Sequence, residues 1–548
     1  MELSQLDLDR NINRLRIHSV EFSELSDDEL ILLLEKTIKN IQGVSYYWAT
    51  LSAEKKQILQ KHKEGEEWLG GPFVSILTTQ YYIEYLKGNT KLTEDKYDKS
   101  TNSYKVFPNK LIESLTFPLL KAEIRFNKSM SFEQIKEFRG FSQRIGHTSN
   151  VTLVLGAGNV SSIPFLDTIF HLVANRSVVL LKLNPVNDYL LPVFEKVFAE
   201  FIDRGFISVV NGNLNTSKYL TKHRSIDSIH LTGSNHTYEN IVYDKTLNDK
   251  ERSLSTFPKI NKKPIFTELG NVTPIIIHPG KWSNSELKFQ ARKIATAKLN
   301  NSGFNCIAAQ VIVLPKGWRS SEKLKKYIKF YLKKIGDTTS YYPGSNQSLE
   351  SFRNNDNYEL VNESACSTPF MIADLDAEDK YSTSEVWNST LYFKELEYSD
   401  NDSFADVSIK YVNNELWGNL GASVLIKGSN KKHLKPVVDK YKNNLNYGTV
   451  AINEWSAIAF IIPTMPWGGY PGNKDNDIQS GQGYVHNAYF FESPLKGIVE
   501  TKFRFSRFID PPWFVNNKKA HRLFKNLTYY QANNSKINFI KLIFSTLV

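Results

Sequence analysis

The stretch VTLVLGAGNVSSIPFLDTIFHLVANRSVVLLK, residues 151–182, decides the fold of this chain. A short apolar run, Val151–Leu155, is followed by a helical pattern from Pro164 to Ala174 and by a second apolar run that ends at Leu181. Two apolar strands joined by a helix are typical of a βαβ unit, in which the strands run parallel. The stretch therefore predicts a parallel sheet covered by helices.

The same alternation continues along the chain. Residues 192–204 are predicted as a helix and residues 207–210 and 228–231 as strands, with Thr232-Gly233-Ser234 after the last strand. A doubly wound α/β sheet of the nucleotide-binding type is the expected fold class here. The Gly-X-Gly-X-X-Gly fingerprint is missing from this unit, so the ligand has to be inferred from individual residues. The first 110 residues are predicted to be mostly helical.

Length and composition indicate a cytoplasmic protein of several domains. The chain has 548 residues, of which 41% are hydrophobic, and single cores stop growing at roughly 250–300 residues. The amino terminus has no apolar signal core, and no apolar run reaches the roughly 18 residues of a membrane span. Two cysteines are too few for a disulfide framework, which indicates a reducing compartment. Its 68 basic residues are interleaved with 57 acidic ones, so no nucleic-acid partner is expected, and no metal site is predicted.

Cys306 is the candidate nucleophile. It follows the small-residue, amide-rich turn Asn301-Ser302-Gly303-Phe304-Asn305, and Glu268 lies 38 positions upstream. A cysteine becomes a nucleophile when its thiolate is populated and a nearby group can move a proton. The main-chain N–H groups of such a turn can stabilise negative charge. Cys366, which has no matching partner segment, is interpreted as a structural cysteine.

Six motifs occur in one order along the chain. They are Lys182 after its apolar strand, Leu231-Thr232-Gly233-Ser234, Glu268-Leu269-Gly270, Gly303-Phe304-Asn305-Cys306, Ser384-Glu385-Val386-Trp387 and Pro466-Trp467-Gly468-Gly469-Tyr470. In this order they resemble the aldehyde dehydrogenase superfamily, and the resemblance covers roughly residues 150 to 500. By this resemblance the chain is identified as a divergent member of that superfamily.

The resemblance implies an aldehyde-dehydrogenase-like α/β fold with a Rossmann-type cofactor domain, an α/β catalytic domain and an oligomerisation hairpin. Residues 1–268 would form a helical lead-in and the dinucleotide-binding domain, with the hairpin inserted at about 118–150. Residues 269–465 would form the catalytic domain, and residues 466–548 would complete the site and extend the chain. A homo-oligomer, either a dimer or a tetramer, is the implied assembly.

The implied reaction is the NAD(P)-dependent oxidation of an aldehyde to a carboxylic acid. Cys306 would attack the aldehyde carbon, and its main-chain N–H would stabilise the oxyanion together with Asn159. Asn159 is chosen because it lies 23 positions before Lys182, the separation found in the family. Transfer of hydride to the nicotinamide would leave a thioester on Cys306. Glu268, whose apolar flanks favour a raised pKa, would then activate water.

The resemblance also implies the cofactor contacts. Lys182 would bind the adenine-side ribose, Gly233 and Ser234 the pyrophosphate at a helix amino terminus, and Glu385 the nicotinamide ribose, with Trp387 packed near the nicotinamide. The acid that reads the ribose in the family is replaced by Pro185. Without that carboxylate a 2′-phosphate is not repelled, so the cofactor is predicted as NAD or NADP.

Two alternative functions stay open. An acyl-thioester reductase of the acyl-CoA type would form an aldehyde, and the segment Gly156-Ala157-Gly158-Asn159 favours it. Glu268 argues against this alternative, because a thioester reductase needs no base to activate water. A catalytically weak oligomeric scaffold is the second alternative, and the presence of Cys306, Glu268 and Asn159 together argues against it. The sequence does not specify the aldehyde or the physiological direction.

Overall fold

A computed structural model of the protein describes residues 3–109, 113–114, 117, 119–140, 149–336, 338–353, 358–361, 371–374, 382–504, 506, 510–533, 535, 537–538 and 540–542. Cys366, interpreted above as structural, lies outside these residues. Within them no helix combines the length and the apolar composition that crossing a bilayer requires. The chain is a mixed α/β protein with a mainly parallel large sheet and a smaller parallel one.

The strands are β1 (Tyr97–Asp98), β2 (Ser103–Phe107), β3 (Lys121–Phe126), β4 (Val151–Leu155), β5 (Val178–Lys182), β6 (Ile207–Val210), β7 (Ser228–Gly233), β8 (Ile265–Leu269), β9 (Thr273–Ile277), β10 (Ala309–Pro315), β11 (Tyr358–Leu360), β12 (Met371–Asp374), β13 (Thr390–Leu396), β14 (Gly421–Leu425), β15 (Thr449–Ile452), β16 (Pro466–Trp467), β17 (Val485–His486) and β18 (Pro494–Glu500).

The helices are α1 (Gln5–Ser23), α2 (Asp27–Lys55), α3 (Glu64–Trp68), α4 (Val74–Leu86), α5 (Phe132–Glu137), α6 (Ile163–Ala174), α7 (Leu191–Val197), α8 (Ala199–Asp203), α9 (Leu214–Lys222), α10 (Asn235–Tyr243), α11 (Asp249–Ser253), α12 (Asn284–Leu299), α13 (Ser321–Ile335), α14 (Ser345–Arg353), α15 (Asn401–Asn414), α16 (Lys435–Asn444), α17 (Ile458–Ile461) and α18 (Ala520–Asn533).

The smaller sheet has the order β6-β5-β4-β7-β8 and is parallel throughout. Its two central apolar strands, β4 and β5, are buried along their whole length, as strands covered by helices on both faces should be. The strands, the helix and the doubly wound α/β class predicted from residue 151 onward are confirmed. Strand order reverses between β4 and β7, which is where ligands bind in open sheets of this class.

The larger sheet has the order β1-β2-β3-β18-β15-β14-β9-β10-β13-β12-β11. Strands β18 to β12 in this order are parallel to one another, whereas β1, β2, β3 and β11 pair antiparallel at the two ends. The sheet therefore has a parallel centre and antiparallel edges.

The amino-terminal region differs in part from the prediction. Helices α1 to α4 confirm the helical expectation as far as Leu86, but β1 and β2 follow within the first 110 residues. The predicted hairpin at 118–150 supplies β3 and α5, and residues 118 and 141–148 of it lie outside the described residues. The antiparallel partner of β3 earlier in the chain is β2, which begins before the predicted range. The domain boundaries and the hairpin's role between subunits stay predictions.

The carboxy-terminal helix α18 packs on α3. A Cβ atom at Gly65 would lie 2.7 Å from the Ala520 carbonyl carbon, so the close approach of the two helices requires glycine there. The rings of Trp68 and Tyr529 are 5.8 Å apart, and Phe524 and Leu527 are buried beside them. Helix α3 is thus held between α18 and the site described next.

Candidate active site

A cavity of about 570 Å³ opens at the carboxyl ends of β4, β5, β7 and β8. Ligand pockets in proteins fall in this size range. All eight predicted site residues border this cavity: Asn159, Lys182, Gly233, Ser234, Glu268, Cys306, Glu385 and Trp387. The structure therefore brings together residues that are as far apart as 159 and 387 in the chain. Their individual roles stay predictions.

Cys306 follows a turn with unusual backbone angles. Asn301, Ser302 and Gly303 have φ values of 50°, 57° and 87°, which places three successive residues in the left-handed region. Gly303 is required, because a Cβ there would lie 3.0 Å from the Asn388 carbonyl oxygen. The turn delivers the thiol to the edge of the cavity.

Asn159 lies beside Cys306 with its side chain held in place. Its Nδ2 donates a hydrogen bond of 3.0 Å to the carbonyl oxygen of Phe304. Its own carbonyl oxygen accepts from Asn301 Nδ2 at 3.0 Å and from the Tyr341 hydroxyl at 3.2 Å. A primary amide carries two N–H groups, so Asn159 keeps a second donor for an oxyanion.

Glu268 lies at the end of β8, directly opposite Thr232 of β7 in the ladder. Its Oε1 accepts a hydrogen bond of 2.6 Å from Trp467 Nε1, and its Oε2 has no partner among the described residues. Burial raises the pKa of Glu268 well above its ordinary value, the negative charge of Asp167 raises it further, and the Trp467 bond opposes both. A carboxyl in this setting can act as a base near neutral pH.

The thiol of Cys306 is held between two carboxyl groups. Burial raises its pKa well above the ordinary value, and the charges of Glu268 and Glu385 act in the same direction. Its own main-chain N–H opposes the shift, because it points toward the sulfur. Burial and these two charges therefore favour the protonated thiol. The thiol has to lose its proton before attack.

Glu385 lies over Gly270, where a Cβ would come 2.0 Å from its Oε1. Burial raises the pKa of Glu385 to about 8, while the Lys298 charge opposes that rise. Burial also lowers the pKa of Lys298 to about 7. The rings of Trp387 and Tyr342 pack at an angle of 39°, with centroids 4.7 Å apart, and line this side of the cavity.

The opposite end of the cavity is basic and polar. Lys182 ends β5, and burial lowers its pKa to about 8. Ser234 is the N-cap of α10, and its side chain accepts from the Thr237 N–H. Lys218 and Lys222 of α9 border the same end. This arrangement combines a helix amino terminus with positive charge and suits a phosphate-bearing ligand.

A second, smaller cavity of about 100 Å³ lies on the other side of Cys306. Cys306, Asn159 and Ile163 border both cavities. The walls of the second cavity are mainly apolar and aromatic: Leu69, Val74, Val160, Ile307, Trp455, Ile458, Phe460, Ile461, Trp467 and Trp513. Its polar lining includes Glu66, whose pKa burial raises to about 7. The thiol is thus accessible from two sides of different chemistry.

Several site residues were not assigned a role from the sequence. Trp467 lies in a motif that was quoted for the resemblance, yet its contact with Glu268 joins residues 199 positions apart. Asp167 and Lys298 lie within helices and look like ordinary helical positions. Asn301 and Tyr341 hold the main chain of Asn159. Trp467 and Asn301 could have been found from their positions inside the motifs given above. Asp167, Lys298 and Tyr341 lie in none of those motifs.

Comparison with known families gives a match to the model of the aldehyde dehydrogenase family over residues 151–341. One curated relative is aldehyde dehydrogenase family 3 member I1, chloroplastic, from Arabidopsis thaliana, which is 23% identical over 300 residues. That alignment covers 50% of this chain and 50% of the relative, so the chain matches about half of the relative's length.

Solved structures share the fold along nearly the whole chain. The NADP-dependent glyceraldehyde-3-phosphate dehydrogenase from Bacillus halodurans, complexed with NADP, has a TM-score of 0.60 at 16% identity, with 91% of this chain and 92% of that chain covered. Betaine aldehyde dehydrogenase from Staphylococcus aureus, in complex with NAD+, has a TM-score of 0.59 at 15% identity, with 93% and 90% covered. The chain is thus similar to the aldehyde dehydrogenase family in sequence over residues 151–341, and it shares the fold of these solved structures along nearly its whole length.

Proposed function

We propose that the protein oxidises an aldehyde to a carboxylic acid with NAD or NADP, through a thioester on Cys306. The observation that carries this proposal is the position of Cys306 between two cavities, with Asn159 beside it and Glu268 bordering the larger cavity. Acyl chemistry needs a nucleophile, an oxyanion donor and a base around the carbon atom that reacts.

The larger cavity fits a nicotinamide dinucleotide. Glu385 Oε1 is buried without a hydrogen-bond partner among the described residues, which leaves an acceptor for a ribose hydroxyl. Ser234 at the start of α10 can meet the pyrophosphate, and Lys182 the adenine-side ribose. When bound, the cofactor supplies the two-electron oxidant of the reaction. The NADP and NAD+ of the similar structures support either cofactor here.

Acylation begins when the Cys306 thiol loses its proton to solvent, and Glu268 is kept for the later hydrolysis. The sulfur then forms a bond to the aldehyde carbon, and the carbonyl π electrons move to the oxygen. The free N–H of Asn159 and the Cys306 main-chain N–H stabilise that oxyanion. As the oxyanion re-forms the C=O bond, the carbon would lose hydride and a thioester would remain on Cys306; NAD or NADP would supply the two-electron oxidant for this step.

Deacylation needs water and a base. Glu268 takes a proton from water as the oxygen bonds to the thioester carbon, and the C–S bond breaks to release the acid and the Cys306 thiolate. Trp467 holds the Glu268 carboxyl through Oε1 and leaves Oε2 without a partner among the described residues. Oε2 is therefore the oxygen suited to receive the proton.

The second cavity supports an aldehyde with an apolar body. Trp455, Phe460 and Trp513 line it, and an apolar lining suits a chain or a ring better than a charged group. The aromatic side chains of this cavity come from segments of the chain that follow Asn159.

The test is a screen of the purified protein with NAD and NADP against short, long-chain and aromatic aldehydes. We expect reduced cofactor to form, with apolar aldehydes preferred, and Cys306→Ala to abolish turnover while cofactor binding persists. Cys366→Ala is the matched control and should change little. Turnover by Cys306→Ala at the wild-type rate would refute the mechanism.

The acyl-thioester reductase is the second candidate, and the same screen addresses it with an acyl-CoA and reduced cofactor. Glu268, poised as a base, disfavours it. A homo-oligomer and a cytoplasmic location stay part of the proposal as predictions from the resemblance and from the cysteine content. Size-exclusion chromatography with light scattering tests the former.

A further inference from the structure

Asn301 connects the turn before Cys306 to the rest of the site. Its Nδ2 donates at 3.0 Å both to the Asn159 carbonyl oxygen and to the Phe304 carbonyl oxygen. Its Oδ1 accepts from the Tyr341 hydroxyl at 2.9 Å and from Lys56 Nζ at 3.1 Å. The Phe304 oxygen is also the acceptor for Asn159 Nδ2. The side chain of Asn301 thus holds two groups of the site: the main chain of Asn159, and the Phe304 carbonyl group to which the Asn159 side chain donates.

The backbone of this turn needs support from its surroundings. Asn301 and Ser302 both have positive φ values, at 50° and 57°. Non-glycine residues held there are strained and persist when neighbouring groups hold them. The Asn301 N–H donates to Glu66 Oε2 at 2.7 Å. The conformation of the turn therefore depends on groups outside it.

Those groups include charged residues of the amino-terminal helical region. Lys56 directly follows α2, and Glu66 and Glu67 lie in α3. Lys56 Nζ and Glu67 Oε1 form an ion pair of 2.8 Å with side chains 5% and 3% exposed. A buried ion pair adds little to stability compared with apolar residues of similar size. Its cation, however, also reaches Asn301.

We propose that Lys56, held by Glu67, is a positioning residue for the oxyanion side of the active site. Lys56 fixes the amide of Asn301, and Asn301 in turn fixes the main chain of Asn159 and the carbonyl group that orients the Asn159 side chain. Lys56 borders neither of the cavities beside Cys306 and so acts through Asn301. This inference rests on the proposed function and assigns a role to the helices that precede the nucleotide-binding sheet.

The test uses the double variant Lys56→Met/Glu67→Leu. Removing both charges avoids leaving one of them buried and unpaired, so the variant is expected to fold. The hydrogen bond to Asn301 Oδ1 is lost. We expect kcat/KM for the aldehyde to fall about 10- to 100-fold, less than the roughly 100- to 1,000-fold loss for deleting an oxyanion donor outright. The dissociation constant of the cofactor should stay unchanged.

The control is Lys293→Met/Glu454→Leu. This pair is equally buried, at 4% and 3%, and its atoms lie 3.6 Å apart. Neither residue borders the two cavities beside Cys306. We expect this control to keep the wild-type kcat/KM. Thermal unfolding of both variants checks that they are folded.

Hydrogen exchange gives a readout that does not need a substrate. The peptide spanning residues 300–306 should exchange faster in Lys56→Met/Glu67→Leu and at the wild-type rate in the control. An inactive wild-type protein would refute the proposed function, and the exchange result would still decide the positioning role. Unchanged exchange in this peptide, or wild-type kcat/KM in the folded Lys56 variant, would overturn the inference.

Discussion

Replacing Trp467 by phenylalanine should move the pH dependence of turnover to higher pH. The indole N–H donates to Glu268 Oε1 at 2.6 Å, and no other hydrogen bond to this carboxyl is found among the described residues. The bond stabilises the charged form and so lowers the pKa of Glu268, against the burial that raises it. Phenylalanine keeps an aromatic ring beside Phe460, whose centroid lies 5.4 Å away, but has no N–H.

The size of the shift follows from the strength of the lost bond. A hydrogen bond to a charged group contributes about 1.5–3 kcal/mol, and one pKa unit corresponds to about 1.4 kcal/mol. The pKa of Glu268 should therefore rise by about 1–2 units. Because the carboxylate is the active form, activity appears as pH increases through this pKa. At a fixed pH below the midpoint, kcat should fall by about 10- to 100-fold.

The assay is the steady-state kcat with a saturating aldehyde at a series of pH values. Trp455→Phe is the matched control, because Trp455 lines the same cavity but donates its N–H to the Ile307 carbonyl oxygen. That control can lower the rate, yet its midpoint pH should equal the wild-type value. A midpoint that stays in place or moves to lower pH in Trp467→Phe would refute the role of the indole.

Three further outcomes are expected. Glu268→Gln should form one equivalent of reduced cofactor per site in a burst and then stall. Mass spectrometry should detect an acyl group on Cys306. An unchanged steady-state rate without this adduct would favour the thioester reductase. NAD and NADP should differ in dissociation constant by less than about a hundredfold, roughly 2.7 kcal/mol. Pro185→Glu should shift the preference toward NAD. Strong selectivity of the wild type for NAD, measured by calorimetry, would contradict the prediction. Asp167→Asn removes a charge that raises the pKa of Glu268, so the kcat midpoint should move to lower pH, and an upward shift would count against it.

Much of the smaller parallel sheet could be predicted because its signals are local. Strands β4 and β5 are continuous apolar runs, and the helix between them is recognisable from its own residues. Seven of the eight candidate site residues could be named from short motifs and Asn159 from its separation from Lys182, and the structure places all eight around one cavity. Parallel strands present their carboxyl ends at one edge, so residues that follow different strands meet there.

The edge of the larger sheet could not be predicted in the same way. Strands β1 and β2 occur in a region that was expected to be helical, and β2 is short and pairs with β3. A strand of a few residues carries little periodicity, and its conformation is fixed by the partner strand. The position of β18 between β3 and β15 likewise depends on packing across the whole chain.

The sequence by itself determined the class of fold and named the candidate nucleophile and base, because apolar periodicity and motif residues lie in short segments. The tertiary structure alone decided how those residues are tuned. Trp467 reaches Glu268 across 199 positions, and Lys56 reaches Asn301 across 245. Such contacts arise when distant segments pack together. The same packing produces the burial that raises the pKa values of Cys306 and Glu268. Local sequence patterns indicate neither these contacts nor this burial.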